Sequence, residues 1–200
     1  MLDDRLTEQR NPRSSEIDEF SSLEIVDLIN SEDQLLAEAV SQQRMEIARA
    51  IDFVTEAFLS GGRLIYVGAG TSGRLGVLDA SEMPPTFGSA PELVQGIIAG
   101  GLAALVSSKE SEEDSPSKGA EEMDLCRIAS NDFVLGIAAS GTTPFVHGAL
   151  TRARQRGAKT GLLLCTKPTE DLLERYEIVI AVLVGPEVVT GSTRMKAGTA

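Results

Sequence analysis

The sequence has 200 residues, 42% hydrophobic and 24% charged, which is ordinary for a globular domain with one substantial core. Its net charge of −12 repels a phosphate backbone, which argues against nucleic acid and anionic membrane surfaces as partners, so any phosphate bound must be caught by local donors. The two cysteines, Cys126 and Cys165, stand apart in apolar stretches with no CxxC or Cys/His cluster; they read as reduced packing residues rather than a disulfide framework or a metal site.

The opening Met-Leu-Asp-Asp-Arg lacks a basic leader and an apolar segment, and no apolar run approaches a membrane span, so a cytoplasmic location is expected. Residues 1–20 are polar and carry Asn11-Pro12 and Ser14-Ser15, which predicts an irregular arm with little chemistry. Residues 21–60 turn helical, with start signals at Ser22 and at Ser31-Glu-Asp33 and apolar residues at three- and four-residue spacing through Ala50, Phe53 and Ala57. Gly61-Gly62 ends them.

From residue 61 to 200 the period changes. Short apolar runs at 63–68, 93–99, 133–139, 160–165 and 178–184 read as buried parallel strands, and helix-like segments at 74–80, 118–128, 145–156 and 169–176 separate them. This alternation predicts an α/β domain with a doubly wound, mostly parallel sheet flanked by helices and preceded by the N-terminal helices. Its ligands belong at the carboxyl ends of the strands.

Three of those ends carry loops rich in hydroxyls. Gly68-Ala-Gly-Thr-Ser-Gly-Arg74 follows a strand and opens a helix, so free backbone N–H groups and the helix dipole favour an anion there. It also matches G-x-G-x-x-G, but the next strand ends in Gly100-Gly101 instead of the acidic residue a dinucleotide site requires. Thr71 and Ser72 suit a terminal phosphate better than a pyrophosphate. Ala138-Ala-Ser-Gly-Thr-Thr-Pro144 repeats the logic, with proline in the first helical turn. Thr190-Gly-Ser-Thr-Arg-Met-Lys196 adds two cations to its hydroxyls. One such loop could be no more than a capped helix start. Three together predict a phosphorylated small ligand held by Gly70, Thr71, Ser72, Ser140, Gly141, Thr142, Thr143, Ser192, Arg194 and Lys196.

The stretch Gly61-Gly-Arg-Leu-Ile-Tyr-Val-Gly-Ala-Gly-Thr-Ser-Gly-Arg-Leu-Gly-Val-Leu-Asp-Ala-Ser-Glu82-Met-Pro-Pro-Thr-Phe-Gly88 resembles the core signature of the bacterial N-acetylmuramic acid 6-phosphate etherases. The likeness extends to Thr7-Glu-Gln-Arg-Asn-Pro12, Leu23-Glu-Ile-Val26, residues 138–144 and Glu187-Val-Val-Thr-Gly-Ser-Thr-Arg-Met-Lys-Ala-Gly-Thr199, so it runs nearly end to end. It implies a sugar isomerase (SIS) type, flavodoxin-like fold. The implied reaction cleaves the C3 lactyl ether with water, giving N-acetylglucosamine 6-phosphate and D-lactate, by elimination then hydration through an open-chain unsaturated aldehyde. The family uses no metal or organic cofactor, and the resemblance further suggests a homodimer with sites near the subunit boundary. The chain ends where the family continues into further helices, so it looks C-terminally truncated. Leu102 and Ser107-Ser-Lys109 stand where the family leads one to expect more polar or bulkier residues.

By motif the two catalytic carboxylates fall on Glu82 and Glu113. A lactate alkoxide is a poor leaving group, and a positioned acid is worth roughly 10²–10⁴-fold; a second group must remove the C2 proton, acidic only beside the opened aldehyde. Glu82 is placed just past the first loop's helix and before the terminator Met83-Pro84-Pro85, where a solvated terminal charge is the alternative. Glu113 lies in an acidic run that also offers Glu112, and which carboxyl is acid and which base stays open. His147, the single histidine, reads as helix surface or packing. Arg74, Arg194 and Lys196 either neutralise phosphate or pair with nearby acids. The rival functions are an aldose–ketose phosphosugar isomerase and a non-catalytic phosphosugar sensor.

Overall fold

A computed structural model describes residues 5–107 and 110–200, with the backbone alone at Glu110. The first four residues of the expected arm and Ser108-Lys109 of the departing stretch lie outside the described residues. Residues 5–20 hold three short 3₁₀ turns, and α1 (Ser22–Asp33), α2 (Leu36–Ser41) and α3 (Arg44–Leu59) follow. The domain then alternates as β1 (Leu64–Gly68), α4 (Gly70–Phe87), β2 (Val94–Ile98), a 3₁₀ turn, α5 (Glu110–Glu113), α6 (Pro116–Leu125), β3 (Phe133–Ile137), α7 (Pro144–Gln155), β4 (Lys159–Leu164), α8 (Glu170–Arg175), β5 (Ile178–Ala181) and α9 (Lys196–Thr199).

The five strands form one parallel sheet in the order β2-β1-β3-β4-β5, with Gly68 level with Ile98 on one side and Ile137 on the other. Both faces are covered, which is why the strands read as unbroken apolar runs. Ile65, Val67, Val134 and Leu162 pack under α6 and α7, whose Met123, Val146, Ala149 and Leu150 are fully buried. Leu64, Tyr66 and Phe133 face the other way, toward α3 and α4. Leaving β1 the chain builds one neighbour on each side, so the β1/β3 crevice is the topological switch point where such sheets bind ligands. At Gly73 a Cβ would lie 2.8 Å from the Gly68 carbonyl oxygen. Only glycine lets α4 start this close to the strand end, aiming its first turn across the crevice.

Three expectations need correction. Helix α1 is capped by Ser21, not Ser22: the Ser21 hydroxyl accepts from Glu24 N–H and Ser21 N–H donates to the Glu24 carboxylate, a complete capping box. The Pro84-Pro85 pair does not terminate α4, which runs on to Phe87 and stops at Gly88 in the left-handed conformation, with Gly88 N–H on the Pro84 carbonyl. A proline's fixed φ is helical, and packing of α4 on β2 outweighs the donors lost in its last turns.

The N-terminal arm is the third. Thr7, Asn11 and Ser14 are buried, and Asn11 donates to both the Glu32 carboxylate and the Pro186 carbonyl. Glu32 on α1 also takes Arg13 and the buried ammonium of Lys196 at the start of α9. Burial works to raise the Glu32 carboxyl, but the Lys196, Arg13 and Asn11 contacts outweigh it and hold the group below the ordinary carboxylate range. One carboxylate thus ties the arm and α1 to the third hydroxyl loop, through contacts up to 164 residues apart in sequence.

Candidate functional site

Neither helix at the switch point is capped by the side chain of its own N-cap residue. The N-caps Ala69 of α4 and Thr143 of α7 make no side-chain cap bond. Both starts thus differ from the simple capped starts the loops resemble one at a time, and first-turn N–H groups are the donors an anion bound there would use. Thr71 and Ser72 from the β1 loop and Thr193 from the third loop line one cavity of about 370 Å³, together with Tyr66, Asp79, Ala139, Cys165 and Gly198. A Cβ on Gly198 would come within 4.0 Å of Thr71, which shows how closely α9 folds over α4. Burial pushes the Cys165 thiol up to about 12, in keeping with a packing role.

The β3 loop stands beside it. Ser140 and Thr142 hydroxyls lie 3.0 Å apart, and Thr142 N–H points to Ser140 Oγ at 3.4 Å. Gly141, between them, is buried with φ +72, and its N–H closes a turn on the Ala138 carbonyl. Thr142 is exposed, Ser140 and Thr143 half-buried.

Of the carboxylates, Glu113 stands at the loops and Glu112 does not. A Cβ added to Gly70 would meet Glu113 Oε1 at 3.2 Å, so this carboxylate sits over the first turn of α4. Glu112, one residue away, forms an ion pair with Lys118. Glu82 is exposed on α4, twelve residues beyond Gly70, which at 1.5 Å per residue puts it about 18 Å along the helix. The prolines do not end the helix, but the twelve-residue separation by itself sets that distance.

Of the cations, Lys196 takes the second of its two alternatives, pairing with a nearby acid. Lys196 is buried, its ammonium on Glu32 and its N–H on the Glu187 carboxylate at 2.9 Å, so it does not face the crevice. Arg74 turns away to the Ala104 and Leu105 carbonyls, holding the segment that leads to α5. Arg194 is exposed and contacts Ser192 at 3.4 Å. The guanidinium that reaches the β3 loop is Arg5, whose Nη1 donates to Thr142 Oγ1 at 2.9 Å, while Leu6 N–H donates to Thr166 Oγ1 after β4. No sequence signal marks Arg5, because its position depends on how the arm packs. Among the described residues no group of three His, Cys, Asp or Glu is arranged to hold a metal ion, and no helix is long and apolar enough to cross a membrane.

A five-stranded parallel sheet in this order, with hydroxyl loops at its switch point, defines a doubly wound, flavodoxin-like ligand-binding domain. The sequence model of the glucokinase regulatory protein N-terminal SIS domain matches residues 46–154, and the chain belongs to that family. It is 56% identical over 194 residues to the N-acetylmuramic acid 6-phosphate etherases of Crocosphaera subtropica and Rippkaea orientalis, which covers 97% of this chain and 63% of each relative. The chain thus spans somewhat less than two thirds of the length of these relatives. Among solved structures, phosphoheptose isomerase from Neisseria gonorrhoeae aligns with a TM-score of 0.63 at 14% identity, over 90% of this chain and 93% of that one, a likeness of fold.

Proposed function

We propose that this protein cleaves the lactyl ether of N-acetylmuramic acid 6-phosphate with water, giving N-acetylglucosamine 6-phosphate and D-lactate, as a cytoplasmic enzyme of cell-wall amino-sugar recycling. The observation that carries the reading is the position of Glu113 over the first turn of α4, beside the hydroxyl loops, in a chain 56% identical to proteins of that name.

The loops receive the 6-phosphate: Thr71, Ser72, Ser140, Thr142 and Thr143 supply hydroxyls, and the first turns of α4 and α7 supply N–H groups. With the sugar opened to its aldehyde, Glu113 removes the C2 proton, the C3–oxygen bond breaks, and the lactate oxygen takes a proton from Glu82. Water then adds to the unsaturated aldehyde, its hydroxyl to C3 and a proton to C2, with the carboxyls reversing their roles.

Because Glu82 lies about 18 Å along α4 from the loops of its own chain, a site using both carboxyls takes Glu82 from a second copy. Leu75, Leu78 and Phe87, exposed on α4, are the apolar surface such a homodimer would cover. The test is D-lactate release from N-acetylmuramic acid 6-phosphate, by this chain and by the chain extended to the relatives' full length. Glu82→Gln and Glu113→Gln, each inactive alone, should regain about a quarter of wild-type activity when mixed and allowed to exchange, since half the dimers are then mixed and each has one intact site. No lactate from either length sinks the etherase reading; no recovery on mixing sinks the shared site.

A further inference from the structure

His147 stands on the first full turn of α7, half-buried behind the β3 loop. Both ring nitrogens are engaged: Nε2 lies 2.8 Å from the Gly141 carbonyl oxygen and Nδ1 2.7 Å from the Tyr176 hydroxyl. The two rings are nearly parallel, with centroids 6.0 Å apart, and Tyr176 is buried at the end of α8. A carbonyl oxygen can only accept, so Nε2 carries the hydrogen. In the neutral ring Nδ1 is then the acceptor, and Tyr176 O–H donates to it. The order tyrosine to histidine to Gly141 carbonyl is the only one these partners allow a neutral imidazole.

The bond matters because of the peptide it holds. In a trans peptide the carbonyl of residue 141 and the N–H of residue 142 point in opposite directions. Holding Gly141 C=O on His147 turns Thr142 N–H the other way, toward Ser140 Oγ, one of the hydroxyls assigned to the phosphate. Gly141, at φ +72, is the residue in this loop whose backbone could most readily let that peptide turn over. A flipped peptide would present a carbonyl oxygen, with its negative dipole end, to an incoming phosphate.

We infer that His147, held by Tyr176, is a positioning residue that locks the Gly141–Thr142 peptide with its N–H toward the ligand phosphate. It touches no substrate. Its role rests on the phosphosugar reading, so the experiment must separate the two.

Binding of inorganic phosphate and of N-acetylglucosamine 6-phosphate to the wild-type chain is measured first by calorimetry. If the wild type binds neither, the phosphosugar reading fails, and with it the ground for the lock. Given wild-type binding, His147→Phe keeps the ring stack but removes the donor and should weaken both ligands about tenfold, the loss of one well-made hydrogen bond. His147→Gln, which can place an N–H near the position of Nε2, should stay within about twofold of wild type by the same reasoning. Tyr176→Phe should fall between them. If folded His147→Phe binds as tightly as wild type, the lock is refuted although the site stands.

With one histidine in the chain, histidine-selective ¹⁵N labelling reports a single imidazole. The lock requires the neutral Nε2–H tautomer and a shift of its signal when phosphate is added. An Nδ1–H tautomer, or a signal indifferent to ligand, overturns it even if His147→Phe fails to fold.

Discussion

Replacing Glu32 by alanine should destabilise the protein more than any exposed-pair substitution. Its carboxylate is 7% exposed and its partner Lys196 side chain 2% exposed, so deletion leaves an ammonium buried without its counter-charge. Arg13 and Asn11 each lose one of their acceptors as well. Breaking a buried pair from one side costs about 3–5 kcal/mol, and in a domain of this size each kcal/mol moves the midpoint by roughly 2–4 °C, so Tm should fall by roughly 6–20 °C. Glu46→Ala, which breaks the Arg49–Glu46 pair on the surface of α3, should cost less than about 1 kcal/mol. The double variant Glu32→Leu with Lys196→Met should recover most of the loss, because both charges go together. Thermal melts by circular dichroism at pH 7 measure all three. The Glu32 carboxyl is held below its ordinary value of 4.5, so its contribution is present above that pH and lost as pH falls through the lowered value. The gap between wild type and Glu32→Ala should therefore narrow on acidification. If Glu32→Ala melts within about 3 °C of wild type at pH 7, about half the smallest fall expected, Glu32 does not anchor the arm.

Two substitutions test the site. Glu113→Gln should abolish D-lactate release, whereas Glu112→Gln, which breaks only a partly exposed pair with Lys118, should leave turnover within about threefold of wild type and stability within about 1 kcal/mol; equal losses would refute the assignment to Glu113. Arg5→Ala removes the guanidinium from Thr142 and should weaken inorganic phosphate binding about tenfold, as expected for one charge-assisted hydrogen bond. Unchanged affinity by calorimetry would leave Arg5 a structural contact of the arm.

The strands and the three loops were legible because each depends on neighbours in sequence. An unbroken apolar run stopped by glycine is buried on both faces wherever it sits in a sheet, and the hydroxyl loops announce themselves by composition. Boundaries were less legible. Residues 83–85 read as a stop, yet α4 passes through them, because the packing of its earlier turns on β2 is invisible to a local pattern. The same blindness hides which acid Lys196 pairs with.

Charge partners lay furthest from reach. Lys196 and Glu32 are 164 residues apart, Arg5 and Thr142 137, and nothing local distinguishes Arg5, which meets a site loop, from Arg13, which meets Glu32. The sequence by itself determined the parallel α/β architecture, the N-terminal helices and the hydroxyl loops, since hydrophobic period and turn chemistry are short-range properties of the chain. Only the tertiary structure decided that the β1 and β3 loops flank the switch point, that Glu113 rather than Glu112 turns to Gly70, that the arm carries Arg5 across to Thr142, and that His147 holds the Gly141 carbonyl. Those pairings arise from strand order and from burial, which bring together groups that no periodicity in the sequence connects.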